Sequence, residues 1–159
     1  MKFKKGILLF LALLFPVCIF VFLKFFGKNE FDVPPLYADV YPEGASACNV
    51  TVTLPYHIPE EERANLLSGD SLTLIHFGEL TTIAEQQLKR VTNEHGKEIK
   101  LHFFPSSASR VKKCVFFLKD EYDLVLVDHE GVIRGEYVLD DREEVDRLLT
   151  ELSILLKKY

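Results

Sequence analysis

From Gly6 to Leu23 the chain reads GILLFLALLFPVCIFVFL, eighteen residues without a charge. At about 1.5 Å per residue, a helix of that length reaches across a hydrocarbon core. Phe25 and Phe26 extend the apolar stretch past Lys24, whose long stem can carry its amine to the interface, so the expected span is 6–26. Pro16 lies mid-span, where a membrane helix tolerates it better than a soluble one does. The exit, Leu23-Lys24-Phe25-Phe26-Gly27, lacks the small-x-small pattern of a cleaved signal, and bulky Val17 before Cys18 argues against a lipoprotein site. The sequence therefore reads as an uncleaved signal anchor whose main partner is the lipid bilayer.

Charge orients the anchor. Residues 1–5 carry Lys2, Lys4 and Lys5 beside the α-amino group, whereas Lys24 and Lys28 are soon followed by Glu30 and Asp32. The positive-inside rule then keeps residues 1–5 in the cytoplasm and sends the rest outside. The expectation is a single-pass inner-membrane protein with an extracytoplasmic, periplasmic domain. Residues 1–29 hold five lysines and no acid; removing them from the totals leaves 14 basic and 24 acidic side chains, a net −10. So acidic a domain is a poor match for a phosphate backbone, and nucleic acid is excluded as its partner.

Five of the seven prolines fall between Pro34 and Pro59, with Gly44-Ala45-Ser46-Ala47 among them. That composition predicts a semi-rigid linker over 27–59 and a folded domain over 60–159. Glu60 to Leu67 reads as a short helix closed by Ser68-Gly69-Asp70, and LTLIHF (Leu72–Phe77) as a strand. Thr82 and Glu85 form a capping-box pattern ahead of a helix running to His95, with Ala84, Leu88 and Val91 on one face and Gly96 as its stop. Strands follow at Ile99–Phe104 and Leu124–Val127, the latter returning through Asp128-His129-Glu130-Gly131 into Val132–Tyr137. Ser106 to Ser109 reads as a loop, and Val115 to Leu118 fits either a strand or a helix end. Asp141 with Glu144 opens a last helix, striped by Val145, Leu148, Leu149, Leu152, Leu155 and Leu156. Strand–helix–strand implies a parallel crossover, and the late hairpin adds an antiparallel edge. The expected fold class is α/β: a thioredoxin-like mixed sheet flanked by helices, behind one transmembrane helix.

Three segments carry a family resemblance. KFFGKNEFDVPPLY (Lys24–Tyr37), Pro55-Tyr56-His57-Ile58-Pro59 and VLVDHEGVIRGEY (Val125–Tyr137) resemble membrane-anchored Sco/SenC-type proteins of Bacteroidetes-like bacteria, as does DREEVDRLL (Asp141–Leu149). The resemblance implies a thioredoxin fold, copper delivery or thiol chemistry, and a partner in cytochrome c oxidase assembly. It also implies a C-x-x-x-C loop after the first core strand and a histidine just before the strand at Leu124, since two thiolates and an imidazole suit both copper oxidation states. This sequence has no cysteine between Leu72 and Leu88, and Asp120, Glu121, Tyr122 and Asp123 precede Leu124. The expectation is therefore an accessory protein of the cell envelope that binds or assembles without copper, dithiol or other enzymatic chemistry, with no catalytic, metal or cofactor-binding residues.

The alternative is an active thiol-redox or copper-binding protein using a relocated site. Its candidates are Cys48 and Cys114, the only cysteines outside the span, and the strand histidines His76 and His102 with Glu79. In an oxidising compartment the two cysteines suggest a disulfide, worth about 4 kcal/mol for a loop of that length; two unpaired thiols remain the other reading. Their spacing excludes a C-x-x-C centre. His57, His95 and His129 show no metal-ligand spacing, and the acidic runs and the Arg110, Lys112, Lys113 patch read as solvated faces.

Overall fold

A computed structural model describes residues 14–22, 32–67 and 71–157 of the chain. The chain divides into two units, Met1–Phe31 and Asp32–Tyr159. In the first unit, residues 14–22 are helical (α1), with exposed apolar side chains including Phe15, Phe20 and Phe22. Cys18, on this helix, is an exposed free thiol. Among the described residues no helix is long and apolar enough to cross a membrane. The expected cytoplasmic segment 1–5, both ends of the 6–26 span and the start of the linker lie outside the described residues.

The second unit is α/β. It is built on a four-stranded mixed sheet of β1 (Leu72–Phe77), β2 (Ile99–Phe104), β3 (Leu124–Val127) and β4 (Ile133–Tyr137), in the order β2-β1-β3-β4. β1 and β2 are parallel, joined through a helical crossover; β3 runs antiparallel to both β1 and β4. The apolar patterns follow from position. All six residues of β1 and all four of β3 are buried, because these central strands are covered on both faces. β4 alternates buried and half-buried residues, and on edge strand β2 only Ile99 is fully buried.

Two long helices cover one face, α3 (Thr82–His95) and α5 (Arg142–Leu155). Ala84, Leu88 and Val91 from α3, with Val145, Leu148, Leu152 and Leu155 from α5, pack on Leu72, Leu74, Leu124 and Leu126. Both helices begin with a side-chain cap, Asp141 on the Glu143 N–H and Thr81 on the Ala84 N–H. The cap of α3 is thus Thr81 and not the expected Thr82: of the two adjacent threonines, it is Thr81 that keeps extended backbone and so can turn its hydroxyl onto the first turn. Gly96 ends α3 in a right-handed conformation, so its freedom to take positive φ is not used.

The other face is covered differently. α2 (Glu60–Leu66) and α4 (Ser109–Cys114) are short, and much of the covering is irregular chain. From Asp32 the expected linker is packed into the unit as a strap: Val52, Tyr56 and Ile58 are buried against Ile75, Val125 and Ile133. Its backbone is also tied down, with Leu36 N–H donating to Ile133 O (2.9 Å) and Ile58 N–H to Gly131 O (2.8 Å). Proline keeps a chain extended, but extended chain with alternating Val, Tyr and Ile can lie along a sheet as well as away from it. The expected loop at Ser106–Ser109 is a 3-10 turn (Ser106–Ala108) leading into α4. Val115–Leu118 is neither strand nor helix; Phe117 has φ 52° and the buried rings of Phe116 and Phe117 fill the space under the strap.

Candidate functional site

The C-terminal ends of β1 and β2 are where the resemblance places a dithiol, so they are the first place to look for chemistry. There Gly78 turns the chain at φ 112° and donates its N–H to Phe104 O (2.9 Å). Glu79 is exposed and Thr81 is occupied in capping α3, with a further short hydrogen bond to Asp140. Ahead of β3, one Asp123 oxygen accepts from Leu139 N–H (2.8 Å) and the other lies 3.8 Å from His76 Nε2. A cavity of about 300 Å³ opens beside this turn, lined by Phe77, Gly78, Ser106, Ser109, Lys112 and Asp120. Apart from the His76 imidazole these groups offer oxygens and amines; with no thiolate among them they do not fit a soft copper site, which needs thiolate and imidazole donors together.

Cys48 and Cys114 are joined by a disulfide, with their Cα atoms 5.5 Å apart. Cys48 ends a 3-10 turn (Ala45–Cys48) and Cys114 ends α4. A reactive thiolate is favoured at a helix N-terminus, where N–H dipoles converge; both of these sulfurs sit at the opposite, carbonyl end. The neighbouring Lys113 does not reverse that. Its amine is 2.8 Å from Asp120, and this hydrogen bond holds the Asp120 carboxyl below its ordinary range. Beside the bridge lies a cavity of about 450 Å³, lined by Gly44, Ala47, Lys113, Phe117 and Leu118. The arrangement suits a staple that fastens the strap to α4 across 66 positions.

The relocated site requires the strand histidines to meet. The register forbids it: His102 pairs with Ile75 and His76 with Phe103, so the two imidazoles leave the sheet on opposite faces. His76 is buried against Phe103, its ring 6.1 Å away, and its Nδ1 has no hydrogen-bond partner among the described residues. His95 is buried between the two long helices, with Nδ1 3.2 Å from Glu98 and Nε2 3.3 Å from Ser153 Oγ. His57 and His129 line an open cavity of about 610 Å³ together with Glu60, Arg63 and Glu130. Among the described residues no three His, Cys, Asp or Glu side chains converge as a metal-binding group.

Two polar constellations, one buried and one half-buried, were not anticipated. Asp128, fully buried, accepts from Glu130 N–H and Val132 N–H (both 2.9 Å) and pairs with Arg134 through Nε (2.8 Å) and a terminal nitrogen (2.7 Å). Arg134 also reaches Val33 O (3.0 Å), so the hairpin motif V-D-x-x-G-x-I-R anchors the strap. Gly131 closes the turn at φ 82°, where an added Cβ would lie 3.0 Å from Arg63 Cδ. The second group is Tyr37, whose hydroxyl donates to Glu136 (3.0 Å), with Tyr56 donating to Val115 O (2.7 Å). Burial raises both phenols, and it lifts the Glu136 carboxyl above its ordinary value against the opposing pull of the Tyr37 hydroxyl and Lys119. The hairpin turn was visible in the sequence; that its residues hold a strap was not. No protein-family model matches the chain, and no curated protein is significantly similar to it.

Proposed function

We propose that this protein is a membrane-anchored accessory of the cell envelope with a thioredoxin-like, Sco/SenC-related domain that works by binding and not by dithiol or copper chemistry. Its anchor holds the acidic domain at the outer face of the cytoplasmic membrane. Respiratory oxidase assembly is the setting that the resemblance implies, with another envelope or respiratory-complex protein as the partner. The observation that carries this reading is the turn after β1, where Gly78, Glu79, Leu80 and Thr81 stand in place of a dithiol and Thr81 is committed to capping α3. The strand order supports it too, since a parallel βαβ unit beside an antiparallel hairpin and a final helix is the plan of that fold.

The test uses the full chain in detergent micelles. Copper is titrated in both oxidation states, and thiols are alkylated before and after a series of redox buffers. We expect no tight copper equivalent and a Cys48–Cys114 bridge that stays closed across the range in which catalytic dithiols cycle, roughly −120 to −270 mV. One tightly bound copper, or a bridge that cycles within that range, overturns the reading.

A further inference from the structure

Where the strap begins, its apolar side chains have two destinations. Val33 and Pro42 are buried, and Tyr37 is half-buried with its hydroxyl on Glu136. The backbone there is held as well: Leu36 N–H donates to Ile133 O, and Arg134 donates to Val33 O. Between these fixed points Leu36, Val40 and Tyr41 stay outside, 40%, 68% and 64% exposed. Among the described residues of this unit, the other large apolar side chains so exposed are Val50, Ile83 and Phe103. A single exposed leucine needs no explanation, but half of the set in one short, pinned segment marks a contact surface.

The chain's own connectivity says what lies next to this surface. The apolar stretch of the anchor ends at Phe26, and Val33 is already fixed in the domain. Fully extended, the chain between them reaches at most about 25 Å. Leu36, Val40 and Tyr41 follow directly. With the anchor in a bilayer, so short a tether holds them near the lipid at an effective concentration of about a millimolar, where even a weak contact is occupied. A second copy lacks that advantage and brings another acidic domain with it. The side chains agree with lipid. Leucine and valine suit the acyl boundary, and tyrosine suits the interface, where its ring is dry and its hydroxyl wet. Of the two acids in the segment, Glu43 is paired with Lys119 (3.1 Å), and Asp39 is exposed. A carboxylate beside Val40 allows contact at headgroup depth and opposes deeper insertion. The acid excess over residues 30–159 disfavours an anionic surface and leaves a zwitterionic one.

We propose that Leu36, Val40 and Tyr41 form a lipid-contact patch that seats the domain on a zwitterionic bilayer surface. Seating fixes one orientation of the domain against the membrane, which a tether alone does not. This deepens the membrane-anchored reading above and rests on it.

The chain contains no tryptophan, so Val40→Trp places a single reporter in the patch. Ile83→Trp places a matched one on α3, over the other face of the sheet, at a position 55% exposed. Each full-length variant is reconstituted into phosphatidylcholine vesicles, with and without bromine near the top of the acyl chains, and flotation scores its retention. The Val40→Trp emission should shift to the blue and fall about twofold or more in brominated lipid, as for a side chain about 5–10 Å into the headgroup boundary, while Ile83→Trp is unchanged. Adding Leu36→Ser and Tyr41→Ser to Val40→Trp should restore most of the lost intensity. All of these positions are exposed, so the core is left intact. Replacing half of the lipid with phosphatidylserine should weaken the quenching. Quenching that is absent, equal at both reporters, unaffected by the serines or stronger in phosphatidylserine overturns the proposal. A blue shift without quenching assigns the patch to protein, a second copy included, and overturns it too. A chain that does not float overturns the anchor and the patch together, whereas one that floats without quenching overturns the patch alone.

Discussion

The two faces of the sheet are buried by different means. On one, α3 and α5, each of fourteen residues, lay regular apolar stripes on Leu72, Leu74, Leu124 and Leu126. On the other, helices of six and seven residues and a proline-rich strap do the covering. Helices that short are marginal by themselves, because nucleation costs more than a few hydrogen bonds return. The strap face compensates with cross-links. It has the Cys48–Cys114 bridge, the buried Tyr56 hydroxyl donating to Val115 O, and the edge-to-face packing of Phe117 on Tyr56, with centroids 5.0 Å apart. Where helix length does not supply order, a covalent tie and buried polar anchors do.

The contrast can be tested by damaging each face in turn. Cys48→Ser with Cys114→Ser should cost the most, about 4 kcal/mol, since a large loop regains its freedom in the unfolded chain. Hydrogen exchange should show the loss first in the strap and α4, with α3 and α5 still protected; equal loss on both faces would mean that they do not act as separate layers. Leu148→Ala, at a fully buried position on α5, should cost about 3 kcal/mol in denaturant unfolding and lower protection on both faces, because it opens a cavity in the layer that does not depend on ties.

The smallest effect is the most specific. Burial raises the Glu136 carboxyl, so the native state holds its proton more tightly than the unfolded chain does. Stability from this group is then greatest below the unfolded carboxylate range and falls as pH rises through the raised native value. Glu136→Gln should match the wild type in acid and exceed it slightly at neutral pH, when thermal unfolding is followed across pH. A variant less stable at neutral pH would mean that the charged acceptor for Tyr37 outweighs the burial penalty.

The helical face was the legible one. β1, β2 and β3 begin and end in the structure at the residues expected of them, because apolar runs of four to six residues bounded by polar turns leave little choice. The stripe on α5 and the Asp141 cap were likewise written in a single helix's periodicity. The strap was not. Its prolines signal only that the chain is extended, and burial of Val52, Tyr56 and Ile58 depends on partners on β3 and β4 that lie many residues away. The pairing of His76 with His102 failed for a related reason: a one-residue offset between parallel strands reverses which face a side chain takes, and no local pattern encodes that offset.

What the chain's order of residues determined alone was the four strands and the two long helices, the acid excess of the domain and the absence of cysteine after β1. Those are local properties, set by side-chain chemistry and spacing along the backbone. Tertiary structure decided which sulfurs joined, which histidines parted and that the strap lies on the sheet. Each of these depends on distances between segments far apart in the chain, which only packing brings within reach.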